Sequence, residues 1–356
     1  MISKEIQIYG AGLSGLVSAI TLAKSGHNVT VYEKEKKIGG TLKCHPSAHM
    51  TPMHMQKMQD YIGIEIDSCF SKLDDFRGYV DSKKYVFSTK NLYVVERGPR
   101  ESSLDYYLYK LALENGVNFD FSNPLTSNKL KDLPKNSIIA TAGYSQIVKD
   151  LHLPYVTFKQ FDLHMKTDIE NITIAYFGGY TSDYGYISTK NGILSAQISG
   201  PLNLPQESLK KFAHLVKETE RIKLNGWCSV ISYFPKKVRL FTKFAGKTLV
   251  LAGDIAGFLD PFFGFGINGA LISGKIAALG ITSKQKALQE LKQSAPHLNK
   301  HLLLHTVYWH LPLKKMIQTQ IMKFHNNKLS LIKHSIPGFA DKDWLKIIST
   351  ENMFSE

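Results

Sequence analysis

The chain has 356 residues, with 44 Lys+Arg against 30 Asp+Glu and a formal charge of +14. That length can bury a large core and favours two interleaved lobes over one simple domain, and a 43% hydrophobic, 21% charged composition is that of a folded chain. Cys44, Cys69 and Cys228, odd in number and without paired spacing, speak against a disulfide framework and a structural zinc site; no stretch reaches roughly 18 apolar residues without a charge, so no membrane-spanning helix is expected.

Residues 5–33 read as strand, glycine-rich turn, helix from Leu13 to about Ser25, and a second strand over Val29–Glu33. Lys34–Lys37 and Gly39-Gly40 follow as an exposed loop. Met50 to Val95 mixes short polar and aromatic segments without a long helix. Leu104 to Asn115 has helical spacing and stops at Gly116, and strands are expected at Val117–Phe121 and Ser137–Ala140. From about Asp150 to Leu240 the pattern is strand-rich, with one helix near Glu207–Glu220. Lys247–Ala252 is an apolar strand of parallel type, and Gly266–Leu279 is a helix. Beyond it the sequence is expected to be helical, and Lys300–Lys346 suits a basic amphipathic helix better than a nucleic-acid stripe. The start of the chain has no charged, apolar and cleavage segments in series, so a cytoplasmic protein is expected, with peripheral membrane contact open.

Gly10-Ala11-Gly12-Leu13-Ser14-Gly15 fits G-x-G-x-x-G. The spacing alone is weak evidence. Here it follows a strand, opens a helix and precedes an acidic residue, Glu33, at the end of the next strand, which is the context of a dinucleotide site. Gly10 permits the tight turn, Gly12 lets the backbone approach a pyrophosphate, and Gly15 lets helix and strand pack closely. Glu33, with Lys34 beside it, would meet the adenosine ribose, which favours FAD or NAD over a 2′-phosphorylated cofactor.

The far end of the chain separates those two. Thr248–Ala252 leads into Gly253-Asp254, then Asp260-Pro261 and Gly264-Phe265-Gly266-Ile267-Asn268-Gly269. A flavin site uses a second strand ending in Gly-Asp: Asp254 can hold ribityl hydroxyls, the loop 261–266 can lie along the isoalloxazine, and a helix starting near Ile267 aims its positive end at the ring edge that carries charge when reduced. Gly264, Gly266 and Gly269 also match the dinucleotide spacing, but no strand precedes them, so no separate nicotinamide domain is expected.

These motifs, with Arg97 and Leu104-Asp105 between them, resemble the FAD-dependent geranylgeranyl reductase family within the flavin hydroxylase/reductase superfamily. Tyr184-Gly185-Tyr186-Ile187 is similar to that family's substrate-lobe segment; Ser188-Thr189-Lys190 departs from its Phe-Pro pair and leaves the substrate open. The resemblance implies an α/β fold, in which a Rossmann-like FAD-binding domain (residues 1–60, 90–150 and 240–284) is interleaved with an antiparallel-sheet substrate domain (61–89 and 151–239) and followed by a helical region, 285–356. It implies cofactor contacts from Gly10, Gly12, Leu13, Ser14, Gly15, Glu33, Lys34, Arg97 (or Arg100), Gly253, Asp254, Pro261, Gly264, Gly266, Ile267 and Asn268. It also places Cys44 near the flavin, although His45 stands where the family has glycine.

Three activities compete. The first is reduction of C=C bonds in a polyprenyl or lipid-like substrate, with NAD(P)H or reduced ferredoxin as electron donor. Phe158, Phe161, Tyr176, Phe177, Tyr180, Tyr184, Tyr186 and Phe234 would suit an apolar tunnel, and the positive charge would suit an anionic lipid surface. Hydroxylation of an aromatic compound is the second, weakened by Ala142 where that class carries aspartate. The third is a non-catalytic flavin binder. Reduction needs a proton donor, for which Cys44, His45, Tyr184 and Tyr186 are the candidates. His49 and His54 could also approach the flavin. His301, His305 and His310 make no metal site, and no nucleic-acid partner is expected.

Overall fold

The computed structural model describes residues 4–40, 45–80, 82–135, 137–142, 145–178, 180, 184–260 and 264–309. Cys44, Pro261 and most of the basic segment proposed for Lys300–Lys346 lie outside the described residues. In chain order the elements are β1 (Glu5–Tyr9), α1 (Leu13–Lys24), β2 (Asn28–Tyr32), β3 (Ser47–Pro52), α2 (Met55–Ile62), β4 (Phe70–Lys72), β5 (Asp75–Val80), β6 (Lys83–Phe87), β7 (Leu92–Arg97) and α3 (Leu104–Glu114). There follow β8 (Asn118–Asp120), α4 (Ser127–Asp132), β9 (Ile138–Ile139), α5 (Ser145–Asp150), β10 (Tyr155–Lys166), β11 (Ile172–Phe177), β12 (Gly185–Lys190) and β13 (Ile193–Gly200). The last are α6 (Gln206–Glu220), β14 (Cys228–Pro235), β15 (Phe241–Phe244), β16 (Lys247–Leu251), α7 (Ile267–Thr282) and α8 (Lys284–Trp309).

Six strands form one sheet in the order β15-β16-β9-β1-β2-β8, parallel except for the antiparallel edge pair β15–β16. Ile6, Ile8, Val29, Val31, Ile138, Ile139 and Leu249–Leu251 are all buried, as expected of parallel strands covered on both faces. The carboxyl ends of β1 and β16 therefore open on the same side of the sheet, where such folds hold their ligands. A seven-stranded sheet, β14-β10-β13-β12-β11-β5-β6, is antiparallel apart from the β11–β5 pair. A small sheet, β3-β7-β4, lies with β3 against β12 and β13.

The segment from Met50 to Val95 is richer in structure than its sequence suggests. It contributes part of β3, the eight-residue α2 and four short strands, β4 to β7. Strands of three to six residues with polar outward positions leave too short a period to read, and their partners lie elsewhere in the chain. Among the described residues no helix is long and apolar enough to cross a membrane.

The second lobe has its own core. Helix α6 lays Phe212 and Val216 on one face of the seven-stranded sheet, against Tyr79, Tyr176, Tyr180 and Ile187. Gly185 makes this possible, since a Cβ there would stand 2.8 Å from the Phe212 ring. Because successive strand residues point to opposite faces, Gly185 toward α6 sends Tyr186 toward the other side.

Candidate functional site

At the end of β1 the chain turns on Gly10, whose φ of +109° is open to glycine and whose Cβ would strike Ala140 O at 2.4 Å. Gly15 is held by the same crossing, with a Cβ falling 2.0 Å from Gly10 O. Gly12 differs. It is the N-cap of α1 in ordinary extended geometry, φ −76° and ψ 176°, and nothing lies within 4 Å of a Cβ built on it. That open space, facing the first amides of a helix, is what a pyrophosphate needs. Leu13 packs into the core while Ser14 faces the other half of the site.

Glu33 is buried after β2, and its carboxylate accepts hydrogen bonds from Ala11 N (2.7 Å) and Glu35 N (3.0 Å). These bonds fix it beside the glycine turn and leave further lone pairs for ribose hydroxyls. Lys34 lies toward solvent, its Nζ 3.5 Å from Glu35.

Two motifs some 240 residues apart meet where α1 packs on α7. A Cβ on Gly253 (φ +72°) would stand 2.6 Å from Ser14 Oγ, and one on Gly274 would stand 2.7 Å from Ser14 O. Gly253 N donates to Ser273 Oγ at 2.8 Å, and Ser18 Oγ donates to Gly274 O at 2.8 Å. Asp254 follows at the carboxyl end of β16, with its Oδ1 3.4 Å from the Cβ position of Gly266, the N-cap of α7. Nothing lies within 4 Å of a Cβ built on Gly264 (φ +63°), whereas one on Gly266 would stand 3.1 Å from Leu259 Cδ1, and Ile267 begins the helix, buried. The Asn268 side-chain amide accepts from Thr51 Oγ1 (3.1 Å) and donates to Pro52 O (2.5 Å), fastening α7 to β3.

Arg97, at the end of β7, lies against Asp105 in the first turn of α3. Nε donates to Oδ2 at 2.7 Å and Nη2 to Oδ1 at 2.9 Å, while Gly98 N donates to Oδ2 at 2.9 Å. Burial would raise the Asp105 carboxyl, but the Arg97 charge and these bonds hold it below its usual value. Arg97 also acts on Asp254 through space. Burial pushes the Asp254 carboxyl up from 3.8 to about 6, against the pull of Arg97. Arg100, the alternative flavin contact, is engaged with Glu96 at 2.9 Å and with Asn191 O at 3.0 Å.

The Asp254 shift has a testable sign. Its value is raised on folding, so its contribution to the stability of the flavin-free protein is fully present below about pH 4 and is lost as pH rises through about 6. Ribityl hydroxyls donating to the carboxylate favour its charged form, so FAD affinity is expected to rise across that same window. Asp254→Asn should flatten the pH dependence and lower affinity about tenfold, the difference between a charged and a neutral acceptor. Calorimetric titrations at about pH 5 and about pH 7.5 check this, and an unchanged slope in the variant would place the titrating group elsewhere.

Between α7 and the second lobe lies a cavity of about 670 Å³, its mouth included. Its walls come from β3 (His49, Met50, Thr51), β5 (Phe76), β11 (Thr173, Ala175), the β12 segment (Tyr184, Tyr186), β13 (Gln197) and residues 264–267. Ala175, Tyr186 and Gln197 are direct cross-strand neighbours and make one row of that wall. Gln197 Nε2 in turn donates to the buried Asp162 at 2.7 Å. Of the aromatic residues proposed for an apolar tunnel, Tyr184 and Tyr186 are the two among the described residues that line the cavity; Phe158, on β10, does not. Phe161, Tyr176 and Tyr180 belong to the core under α6, Phe177 is buried where it stacks on Tyr184 at 5.8 Å, and the Phe234 side chain lies outside the described residues. Strand alternation made this division.

His45 stands beside Gly40 and Gly98, and its Nδ1 lies 2.9 Å from Ser47 Oγ. Ser47 Oγ is 2.8 Å from His49 Nε2, and His49 Nδ1 is 3.2 Å from Tyr186 Oη. Burial lowers His45 to about 4 and His49 to about 3, with Arg97 adding to both, so both rings are neutral near pH 7. Burial also raises the Tyr186 phenol. Ser47 carried no role in the sequence reading; the spacing of Ser47 and His49 was the available signal, since i and i+2 share one face of a strand, whereas His45 precedes β3 and its approach to Ser47 follows no strand period. Among the described residues no group of three His, Cys, Asp or Glu is placed to hold a metal.

Comparison with known proteins agrees with this geometry. The family model for the NAD(P)-binding Rossmann-like domain matches residues 8–54. A flavin-containing monooxygenase of Arabidopsis thaliana is 42% identical over 45 residues, but the match spans 13% of this chain and 10% of that protein. Digeranylgeranylglycerophospholipid reductase of Methanosphaerula palustris is 26% identical over 306 residues, 77% of this chain and 75% of the relative. The solved structure of a geranylgeranyl bacteriochlorophyll reductase-like protein from Thermoplasma acidophilum superposes with a TM-score of 0.69 at 16% identity, covering 97% of this chain and 96% of that one. The fold is shared with flavin-dependent oxidoreductases and contains a Rossmann-like domain. Within that class the chain resembles the FAD-dependent geranylgeranyl reductases.

Proposed function

We propose that this chain is an FAD-dependent oxidoreductase that reduces C=C bonds of a hydrophobic, polyprenyl or lipid-like substrate, with NAD(P)H or reduced ferredoxin as the external donor. The observation that carries the reading is the cavity. It joins the start of α7, where the flavin ring is expected, to an apolar wall of Met50, Phe76, Ala175 and Phe265, and its polar groups are gathered around Tyr186, His49 and Gln197. Such a site holds a greasy chain and offers a proton at one place. Reduced FAD, when bound, would supply the hydride, which carries both electrons of the reduction. The residues present fit it: Gly12 leaves room for the pyrophosphate, Glu33 is fixed beside that turn, and among the described residues nothing donates a hydrogen bond to the Asp254 carboxylate. The formal charge of +14 supports peripheral contact with an anionic membrane, where such substrates reside.

Hydroxylation of an aromatic compound is the second reading, favoured by the polar groups on the cavity wall and by the monooxygenase relative. An anaerobic experiment separates the two. The bound flavin is reduced and mixed with polyprenyl lipids or, separately, with oxygen and aromatic acids. Reoxidation by the lipid without oxygen is the expected result. Reoxidation that requires oxygen and yields a hydroxylated aromatic would replace the proposal with the second reading.

A further inference from the structure

The hydrogen-bonded series Tyr186–His49–Ser47–His45 has a form that the proposed reduction does not require of a substrate wall. Four side chains from β12, β3 and the residue pair before β3 are joined end to end, with steps of 3.2, 2.8 and 2.9 Å. One end, Tyr186, faces the cavity. The other end, His45, lies at the Gly40–Gly98 edge, where a Cβ on Gly40 would be 3.2 Å from its Nε2. Ser47 is 1% exposed, so water is excluded from the middle of the series.

We propose that Tyr186 is the proton donor to the substrate and that His49, Ser47 and His45 form the relay that restores its proton from the Gly40–Gly98 edge. This rests on the reductase reading for the identity of the acceptor. Reduced flavin, when bound, would supply the hydride that the double bond needs, and Tyr186 Oη supplies the proton. Tyr186 then takes the His49 Nδ1 proton, His49 Nε2 takes the Ser47 Oγ proton, and Ser47 Oγ takes the His45 Nδ1 proton. His45 recovers one from water at Nε2. No net charge moves in the protein, and each imidazole ends as the other neutral tautomer, to be reset before the next turnover.

Two features suit these residues to that work. A neutral imidazole accepts at one nitrogen while donating at the other, which an imidazolium cannot do, and burial keeps both histidines neutral near pH 7. The charged and titratable groups around the series are Arg97 and Asp105, near His45, with His164 and Asp162 on β10. Arg97 and Asp105 neutralise each other through their paired hydrogen bonds, which limits the net field on the series. His164 is held separately through Ser195 Oγ at 2.9 Å.

Inward delivery requires one arrangement at rest: His49 protonated at Nδ1, Ser47 donating to His49 Nε2, and His45 protonated at Nδ1. Histidine-labelled, FAD-loaded protein examined by nitrogen NMR without substrate should show His49 as that single tautomer. Ser47→Ala should leave both rings as tautomer mixtures, and Ser47→Thr should restore the single form. Turnover measured on the same variants should fall on the order of 100-fold in Ser47→Ala, the size of a lost general acid, and return in Ser47→Thr. A resting His49 protonated at Nε2, a mixed tautomer in the wild type, or Ser47→Ala turning over normally would each overturn the relay. Because the NMR measurement uses no substrate, a failed relay leaves lipid-dependent reoxidation intact, whereas a failed reductase assignment leaves the tautomer intact. Tyr186→Phe gives a further arm that spares the buried serine. It should lose turnover to the same extent with His49 still neutral, and wild-type turnover in it would overturn the assignment of the donor.

Discussion

Gly12→Asp is expected to give a colourless protein that is at least as stable as the flavin-free parent. Gly12 is the N-cap of α1 in extended geometry, so the backbone accepts a side chain, and no atom lies within 4 Å of the new Cβ. Aspartate is a favoured N-cap, because its oxygen accepts from the free amides of the first turn and its charge suits the helix end. It would contribute up to about 1 kcal/mol to the flavin-free fold. The same carboxylate would fall in the space proposed for the pyrophosphate and would repel it. Losing two charge-assisted bonds, each worth roughly 1.5–3 kcal/mol, lowers FAD affinity by a factor on the order of 10³ before repulsion is added. Absorbance of the purified variant and melting of both flavin-free proteins check the two halves. A yellow variant with full flavin would show that the phosphates lie elsewhere. Gly15→Ala is the contrasting case. Its Cβ would meet Gly10 O at 2.0 Å, so the crossing of β1 and α1 must open, and loss of the fold is expected rather than loss of the ligand alone.

Arg97→Ala is expected to cost roughly 3–5 kcal/mol, because it leaves the Asp105 carboxylate buried without its charged partner. The Asp105 side chain is 3% exposed and would retain Gly98 N as its remaining donor among the bonds described above. In the parent, Asp105 titrates below its usual value, so its stabilisation is present at neutral pH and is lost as pH falls through the folded value. Without Arg97, burial dominates and the sign reverses: acid protonates Asp105 and relieves the unpaired charge. The deficit should therefore shrink as pH is lowered from about 7 to about 5. Urea unfolding of flavin-free parent, Arg97→Ala and Arg97→Ala/Asp105→Asn checks this. The double variant should recover part of the loss, since a neutral amide no longer needs the guanidinium. A deficit independent of pH and of Asp105 would assign the loss to the packing of Arg97 instead.

Much of the cofactor end was legible because its constraints are local. Gly10, Gly12 and Gly15 act within one turn, and Glu33 follows one strand later, so spacing together with its strand–helix–strand context carries the geometry. Asp254 and the glycines after it could be read for the same reason. The substrate end was less legible. Aromatic content pointed to Tyr176 and Tyr180 as readily as to Tyr184 and Tyr186, and Phe76, which does line the cavity, carried no signal. Which face of β11 or β12 meets a ligand depends on where α6 packs, and α6 is joined to those strands by contact rather than by sequence proximity. The side-chain partners of Asn268, Thr51 and Pro52, lie more than 200 residues away and were set by tertiary packing in the same way.

The sequence by itself determined the Rossmann-like class of the first unit and the glycine turns at residues 10–15 and 253–257, since backbone conformation at a glycine turn and charge at a strand end are properties of short segments. Only the tertiary structure decided that Ser14 meets Gly253, that Arg97 serves Asp105, and that Tyr186, His49, Ser47 and His45 form one series. Those contacts join strands and helices that fold together to bury apolar surface on other faces. The polar partners they bring into reach are set by sheet order and register, which no local pattern encodes.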